Sequence, residues 1–137
     1  MRYMIVGGEA VIFYGHVRLT GDVDFFYALD RSNLDRLFEA LAEFWDGEIP
    51  GVSEASDLAV EGQIIQFGAP PNRIDLINDI DGIDFENAWP HRTEASLGAP
   101  LDSTLILYIG REHLIKNKRA TGRPKDLDDL RFLEQSL

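Results

Sequence analysis

The chain contains no cysteine, which excludes disulfides and thiolate metal centres and fits a reducing cytoplasm. It has no apolar run near the roughly 20 residues that a membrane-spanning helix needs, and its N-terminus does not read as a secretory signal. Internal repeats and low-complexity tracts are absent as well. Basic residues are scarce: 13 Lys and Arg stand against 24 Asp and Glu, a net charge of −11. Proteins that grip nucleic acid through its phosphates carry a basic surface. A chain this acidic repels a polynucleotide as a whole and cannot clamp a long duplex unaided. What remains is a single domain over residues 1–137 with an ordinary apolar fraction. That length suffices to bury roughly 68–70% of the unfolded surface. The expectation is a compact cytoplasmic domain with no membrane segment.

The few basic residues are unevenly spread. Arg111, Lys116, Lys118, Arg119, Arg123 and Lys125 place six of the thirteen within fifteen residues. Such a cluster could meet a triphosphate or a short RNA end. The most specific pattern lies near the other end of the chain. Val6-Gly7-Gly8 is followed, after thirteen residues, by Asp22-Val23-Asp24-Phe25. On a strand, positions i and i+2 share a face, so Asp22 and Asp24 project together while Val23 and Phe25 pack behind them. Two like charges side by side are costly unless a cation bridges them. A Gly-Gly pair lets backbone approach a ligand closely and leads into a helix whose free N–H groups favour phosphate. The order suits an enzyme that holds a nucleoside triphosphate (NTP) on metal ions.

Periodicity and breakers predict the elements. A strand covers Arg2 to Val6, a short helix Glu9 to Tyr14 stopping at Gly15, and a second strand Asp22 to Leu29. Asp30 or Ser32 then caps a helix through Phe44. Ile64 to Phe67 and Arg73 to Ile77 read as an antiparallel pair. A helical turn opens at Asp84 or Phe85, one or two strands fall within 92–108, and helices cover Gly110 to Ala120 and Pro124 to Gln135. The sum is an α+β domain: a mixed sheet of four to six strands, with flanking helices and a helical C-terminus. Trp45 and Trp89 read as core residues.

Ile5-Val6-Gly7-Gly8-Glu9-Ala10-Val11, with Gly15, Arg18, Thr20 and Asp22 to Asp24, resembles the signature of the DNA polymerase beta-like nucleotidyltransferase superfamily. It looks like a narrower branch of small bacterial and archaeal proteins akin to minimal, aminoglycoside- and lincosamide-type nucleotidyltransferases and abortive-infection toxins. The likeness is strongest over residues 3–29 and returns more weakly at Arg73 to Ile77 and Leu114 to Leu130. The middle of the chain carries no motif. The resemblance implies the same α+β sheet, of nucleotidyltransferase type. It also implies an amphipathic helix before the first strand, which this sequence does not show. Either residue 1 is not the true start or a partner covers that face, and a homodimer contact or a small helical partner protein is the favoured expectation.

Nucleotidyl transfer uses two divalent cations, here Mg²⁺ with Mn²⁺ as the alternative, and such hard ions want oxygen ligands. Asp22 and Asp24 supply two carboxylates. Asp75 is the candidate third, since a carboxylate between apolar residues of a strand needs a reason, and the superfamily carries its third catalytic carboxylate on such a strand. The bland alternatives are a pair with Arg73 or an exposed edge. Gly7 and Gly8 would cradle phosphate, or merely make a tight turn. Arg18 could pair with triphosphate oxygens or with the carboxylates, and Thr20 could donate to phosphate or cap a turn. In the small relatives a lysine and a Lys-Asp pair lie near the nucleotide, which selects Lys118 and Lys125. Lys116 and Lys118 point to different sides of a helix, so at most one faces the site. The alternative is a solvated hairpin with Asp126 capping or pairing with Lys125. His16, His91 and His113 form no metal-ligand spacing, though His16 lies near the candidate site.

The leading expectation is a metal-dependent nucleotidyltransferase that moves an NMP from an NTP to a hydroxyl on a small molecule, partner protein or RNA end. The likeness suggests a toxin–antitoxin, phage-defence or drug-modifying setting. The alternative is a non-catalytic, antitoxin-like binding module that keeps the fold for protein contact.

Overall fold

A computed structural model describes residues 1–96 and 104–135. The first strand, β1 (Tyr3–Val6), runs directly into helix α1 (Gly7–Phe13). This helix begins two residues before the predicted start. Gly7 turns the corner at φ +67°, a conformation open to a residue without Cβ, so no loop is needed between strand and helix. Strand β2 (Asp22–Tyr27) ends two residues short of the prediction. The reason lies in helix α2 (Arg31–Phe44): Asp30 caps it by accepting a hydrogen bond from Asn33 N, so the chain must leave the strand first.

Strands β3 (Ile64–Phe67) and β4 (Arg73–Ile77) form the predicted antiparallel pair. Asp84 caps the single-turn helix α3 (Phe85–Ala88). Strands β5 (Thr93–Ser96) and β6 (Leu105–Tyr108) pair antiparallel within the 92–108 stretch; its residues 97–103 lie outside the described residues. Helix α4 (Arg111–Thr121) stops at Gly122, which adopts the left-handed conformation at φ +61°. Helix α5 (Pro124–Gln135) follows with proline in its first turn.

The six strands form one sheet in the order β3-β4-β2-β1-β6-β5. Three neighbouring pairs are antiparallel and two, β2–β4 and β1–β6, are parallel. The sheet is therefore mixed, and the class is α+β. Each face carries its own core. Met4, Val6 and Phe26 on one face pack with Ala10 and Val11 of α1, Leu114 of α4 and Leu133 of α5. Tyr27, Leu76 and Phe67 on the other pack with Leu34 and Leu37 of α2. Trp45 and Trp89 are half-buried, one against each core, as core residues. Among the described residues no helix is long and apolar enough to cross a membrane.

Candidate active site

The parallel pairing of β2 and β4 sets Asp24 beside Asp75 and Asp22 beside Arg73. Because strand side chains alternate, all four stand on the face covered by α1, α4 and α5. One oxygen from each of Asp22, Asp24 and Asp75 lies within 4.8 Å of the others. Asp75 is buried and the other two are half-buried. Three acceptor-only groups so close must share a proton or gather cations. Asp24 is pushed up to about 7, first by burial and then by the neighbouring Asp22 and Asp75. Burial acts on Asp22 too, but hydrogen bonding with Asp24 and Asp75 and contact with Arg73 outweigh it and hold its pKa below the ordinary range.

Arg73 supplies an internal cation. Its Nε donates to Asp75 Oδ1 at 2.9 Å, and its Nη2 donates to Asp75 Oδ2 at 3.0 Å and Asp22 Oδ2 at 3.1 Å. The Arg73–Asp75 pair foreseen as the bland alternative thus coexists with the carboxylate cluster.

The glycine pair makes room for this geometry. A Cβ on Gly7 would lie 2.3 Å from Asp24 Oδ2. A Cβ on Gly8 would lie 2.8 Å from Thr20 Oγ1 and 3.3 Å from an Arg18 nitrogen. The space over both glycines is filled by the site's own side chains. Gly7→Ala should therefore destabilise the protein by about 2 kcal/mol, combining left-handed strain with displacement of the Asp24 carboxylate. Denaturant unfolding checks this, and a Gly7→Ala protein as stable as wild type would contradict it.

Gly7, Gly8, Arg18, Thr20, Asp22, Asp24, Asp75, Lys118 and Lys125 all line one cavity of about 370 Å³. A second cavity of similar size shares Gly7, Asp24, Lys118 and Arg123 and continues to Asp79 and Asp81. An apolar cavity of about 320 Å³ lies on the opposite face between α2 and the sheet, and its lining includes no carboxylate, histidine, lysine or arginine. It is remote from this chemistry.

The cations behave differently from expectation in detail. Arg18 reaches neither Asp22, Asp24 nor Asp75 but pairs with Asp129 of α5, Nη2 donating to Oδ2 at 3.0 Å. Thr20 Oγ1 donates to Asp22 O at 3.1 Å, so it does shape the turn into β2 while lining the cavity. Lys118 faces the site and Lys116 is exposed outside it, so only one of the two faces it, in keeping with the helical spacing. Lys118 is only 3% exposed, held by Asp126 Oδ1 at 3.1 Å and Asp129 Oδ2 at 3.2 Å. Lys125 is exposed at the cavity rim and does not pair with Asp126. That carboxylate, fully buried, takes Arg123 Nε at 2.7 Å instead, and it does cap the start of α5 by accepting from Arg123 N at 3.2 Å. Burial opposes its charge, but Arg123, Thr121 and Lys118 outweigh this and hold Asp126 well below the usual carboxylate range. His16 approaches Asp129 at 3.7 Å and is outside the cavity lining.

Gln66 and Arg73 also line the cavity, and Asp126 and Asp129 serve as buried counterions, roles not anticipated from the sequence. A signal for the last two was present. Asp126, Asp129 and Leu133 recur at core-facing helical spacing, and carboxylates in such positions demand partners. The sequence matches no protein-family profile, and no curated protein is significantly similar to it.

Proposed function

We propose that this chain is a metal-dependent nucleotidyltransferase that moves an NMP from an NTP to a hydroxyl acceptor. One observation carries the reading: three carboxylates from two adjacent parallel strands converge, within 4.8 Å, in a cavity also lined by lysines and arginines. The donor set is all hard oxygen, which fits Mg²⁺ or Mn²⁺. The elevated pKa of Asp24 marks repulsion that a cation would relieve. Asp22, Asp24 and Asp75 would hold the ions, which when bound neutralise charge at the α-phosphate and the attacking oxygen. Arg18, Lys118, Arg123 and Lys125 bind and orient the phosphates as positive charges lining the cavity. The acceptor oxygen bonds to the α-phosphorus, the bond to pyrophosphate breaks, and the hydroxyl proton is released. The sheet is then of nucleotidyltransferase type, in line with the signature at Gly7, Gly8, Asp22 and Asp24.

Arg73 favours a second reading. Its guanidinium already neutralises Asp22 and Asp75 from within the chain, as suits a non-catalytic module that uses the fold for protein contact. Thermal unfolding with Mg²⁺, alone and with each of the four NTPs, separates the two. We expect one NTP to raise the Tm of wild type but not of the Asp22→Asn/Asp24→Asn double variant. No shift with any nucleotide in wild type would sink the enzyme reading and leave the binding module.

A further inference from the structure

The segment from His16 to Thr20, which joins α1 to β2, has an inverted side-chain pattern. His16, Arg18 and Thr20 turn inward, whereas Val17 and Leu19 are 89% and 97% exposed. An extended segment ordinarily buries its apolar residues and leaves a guanidinium in water. Shifting such a segment by one residue exchanges its two faces. An arrangement with Val17 and Leu19 inside and Arg18 outside would follow the ordinary preference, and some interaction must hold the segment against it.

Asp129 has the necessary geometry. It is 1% exposed and projects from α5 to a residue 111 positions earlier in the chain. Its Oδ2 accepts from Arg18 Nη2 at 3.0 Å and lies 3.2 Å from Lys118 Nζ. Its Oδ1 lies 2.9 Å from Arg18 Nε. That second contact is off the N–H direction, so it is ionic rather than a hydrogen bond. Both oxygens therefore face one guanidinium, which in turn lies against Gly8, where a Cβ would meet Arg18 at 3.3 Å. Asp126 has a different task, since its partners Lys118 and Arg123 both belong to the α4–α5 hairpin. Asp129 does not line the cavity. It stands behind the cations.

We propose that Asp129 is a positioning residue: it keeps Arg18 turned into the carboxylate cavity, against the apolar preference of Val17 and Leu19, so that Arg18 meets the triphosphate of a bound NTP. This rests on reading the cavity as a nucleotidyltransferase site. Asp129 itself touches no substrate; it acts through Arg18, while the Lys118 ammonium that it also meets stays held by Asp126. Loss of Asp129 frees the segment to turn over, moving the guanidinium out of the cavity while Asp22, Asp24 and Asp75 stay in place.

Calorimetric NTP binding with Mg²⁺, in wild type, Asp129→Asn, Arg18→Met and the double variant, tests this. Each single variant should bind the preferred NTP about 10- to 100-fold more weakly, the scale of one charge-assisted contact. The double variant should be no weaker than Arg18→Met, because Asp126 still holds Lys118 and Asp129 has no other cation of the cavity to position once Arg18 is gone. Wild-type affinity in Asp129→Asn, or additive losses in the double variant, would overturn the proposal while leaving the enzyme reading intact. Failure of wild type itself to bind any NTP would remove the enzyme reading and this proposal with it. Should Asp129→Asn not fold, Arg18→Met and Arg18→Lys decide. Weak binding in both supports the proposal, because one ammonium cannot span two carboxylate oxygens as the guanidinium does. Wild-type affinity in either overturns it.

Discussion

Asp24→Asn should lower Mg²⁺-dependent NMP transfer by about 10³-fold or more, and should also make the cation-free protein more stable above neutral pH. The first effect follows from removing one of the three proposed anionic ligands, which would forfeit several kcal/mol of stabilisation at the reacting phosphate. The second follows from the same carboxylate's position. The native state keeps a proton on Asp24 up to about pH 7, whereas the unfolded chain releases it near pH 4. Between those values the native state binds more protons, so cation-free stability falls as pH rises through the window. At about 1.4 kcal/mol per pKa unit the loss is no more than about 4 kcal/mol. Asn carries no charge and escapes it. Mg²⁺ should accordingly raise the wild-type Tm more at pH 8 than at pH 5.5 and leave Asp24→Asn unmoved. Calorimetric scans at the two pH values, with a pyrophosphate-release assay, measure both effects. A Mg²⁺ response of equal size in the variant would show that Asp24 is not a ligand.

Lys118→Met should destabilise the fold by about 3 kcal/mol, or roughly 10 °C in Tm for a domain of this size. The ammonium is buried between Asp126 and Asp129, which are themselves at most 1% exposed. Removing it leaves two carboxylates in the interior with fewer cations. The cost sits at the lower end for a broken buried pair because Arg123 still holds Asp126 and Arg18 still holds Asp129. The sign of the pH dependence follows from Asp126, whose native pKa is depressed. A depressed carboxylate contributes stability above its unfolded value and loses it as pH falls. The gap between wild type and Lys118→Met should therefore narrow on acidification below about pH 4. Urea unfolding at pH 7 and pH 3 measures it, and a gap that widens in acid would mean the lysine serves some purpose other than pairing.

Local features of the site were legible in the sequence and long-range ones were not. Asp22 and Asp24 could be assigned to one face because strand periodicity is a local property. The β3 and β4 boundaries were readable because Gly68 to Asn72 punctuates them. Helical spacing told that Lys116 and Lys118 could not both face the site, and the resemblance favoured Lys118. What escaped depends on contacts between distant segments. No local pattern tells that β4 pairs with β2 rather than another strand, that Arg73 lies opposite Asp22, or that Arg18 meets a residue of the last helix. The Lys125–Asp126 pairing failed for a local reason. Adjacent helical residues diverge by about 100°, so Asp126 turned into the core while its neighbour turned out.

The parallel junction of β2 with β4 also bears on the growing chain. Parallel neighbours cannot be joined by a tight turn, and here α2, a short 3₁₀ turn and β3 intervene. When β1 and β2 have left the ribosome, the far edge of β2 has no neighbour, and a bare edge invites any strand that drifts past. Asp22 and Asp24 lie along that edge strand and disfavour apolar or acidic intruders. The strand that belongs there brings its own passport: Arg73 arrives opposite Asp22 in the native register. The charges that shape the cavity would thus also discriminate among strands while the sheet is unfinished.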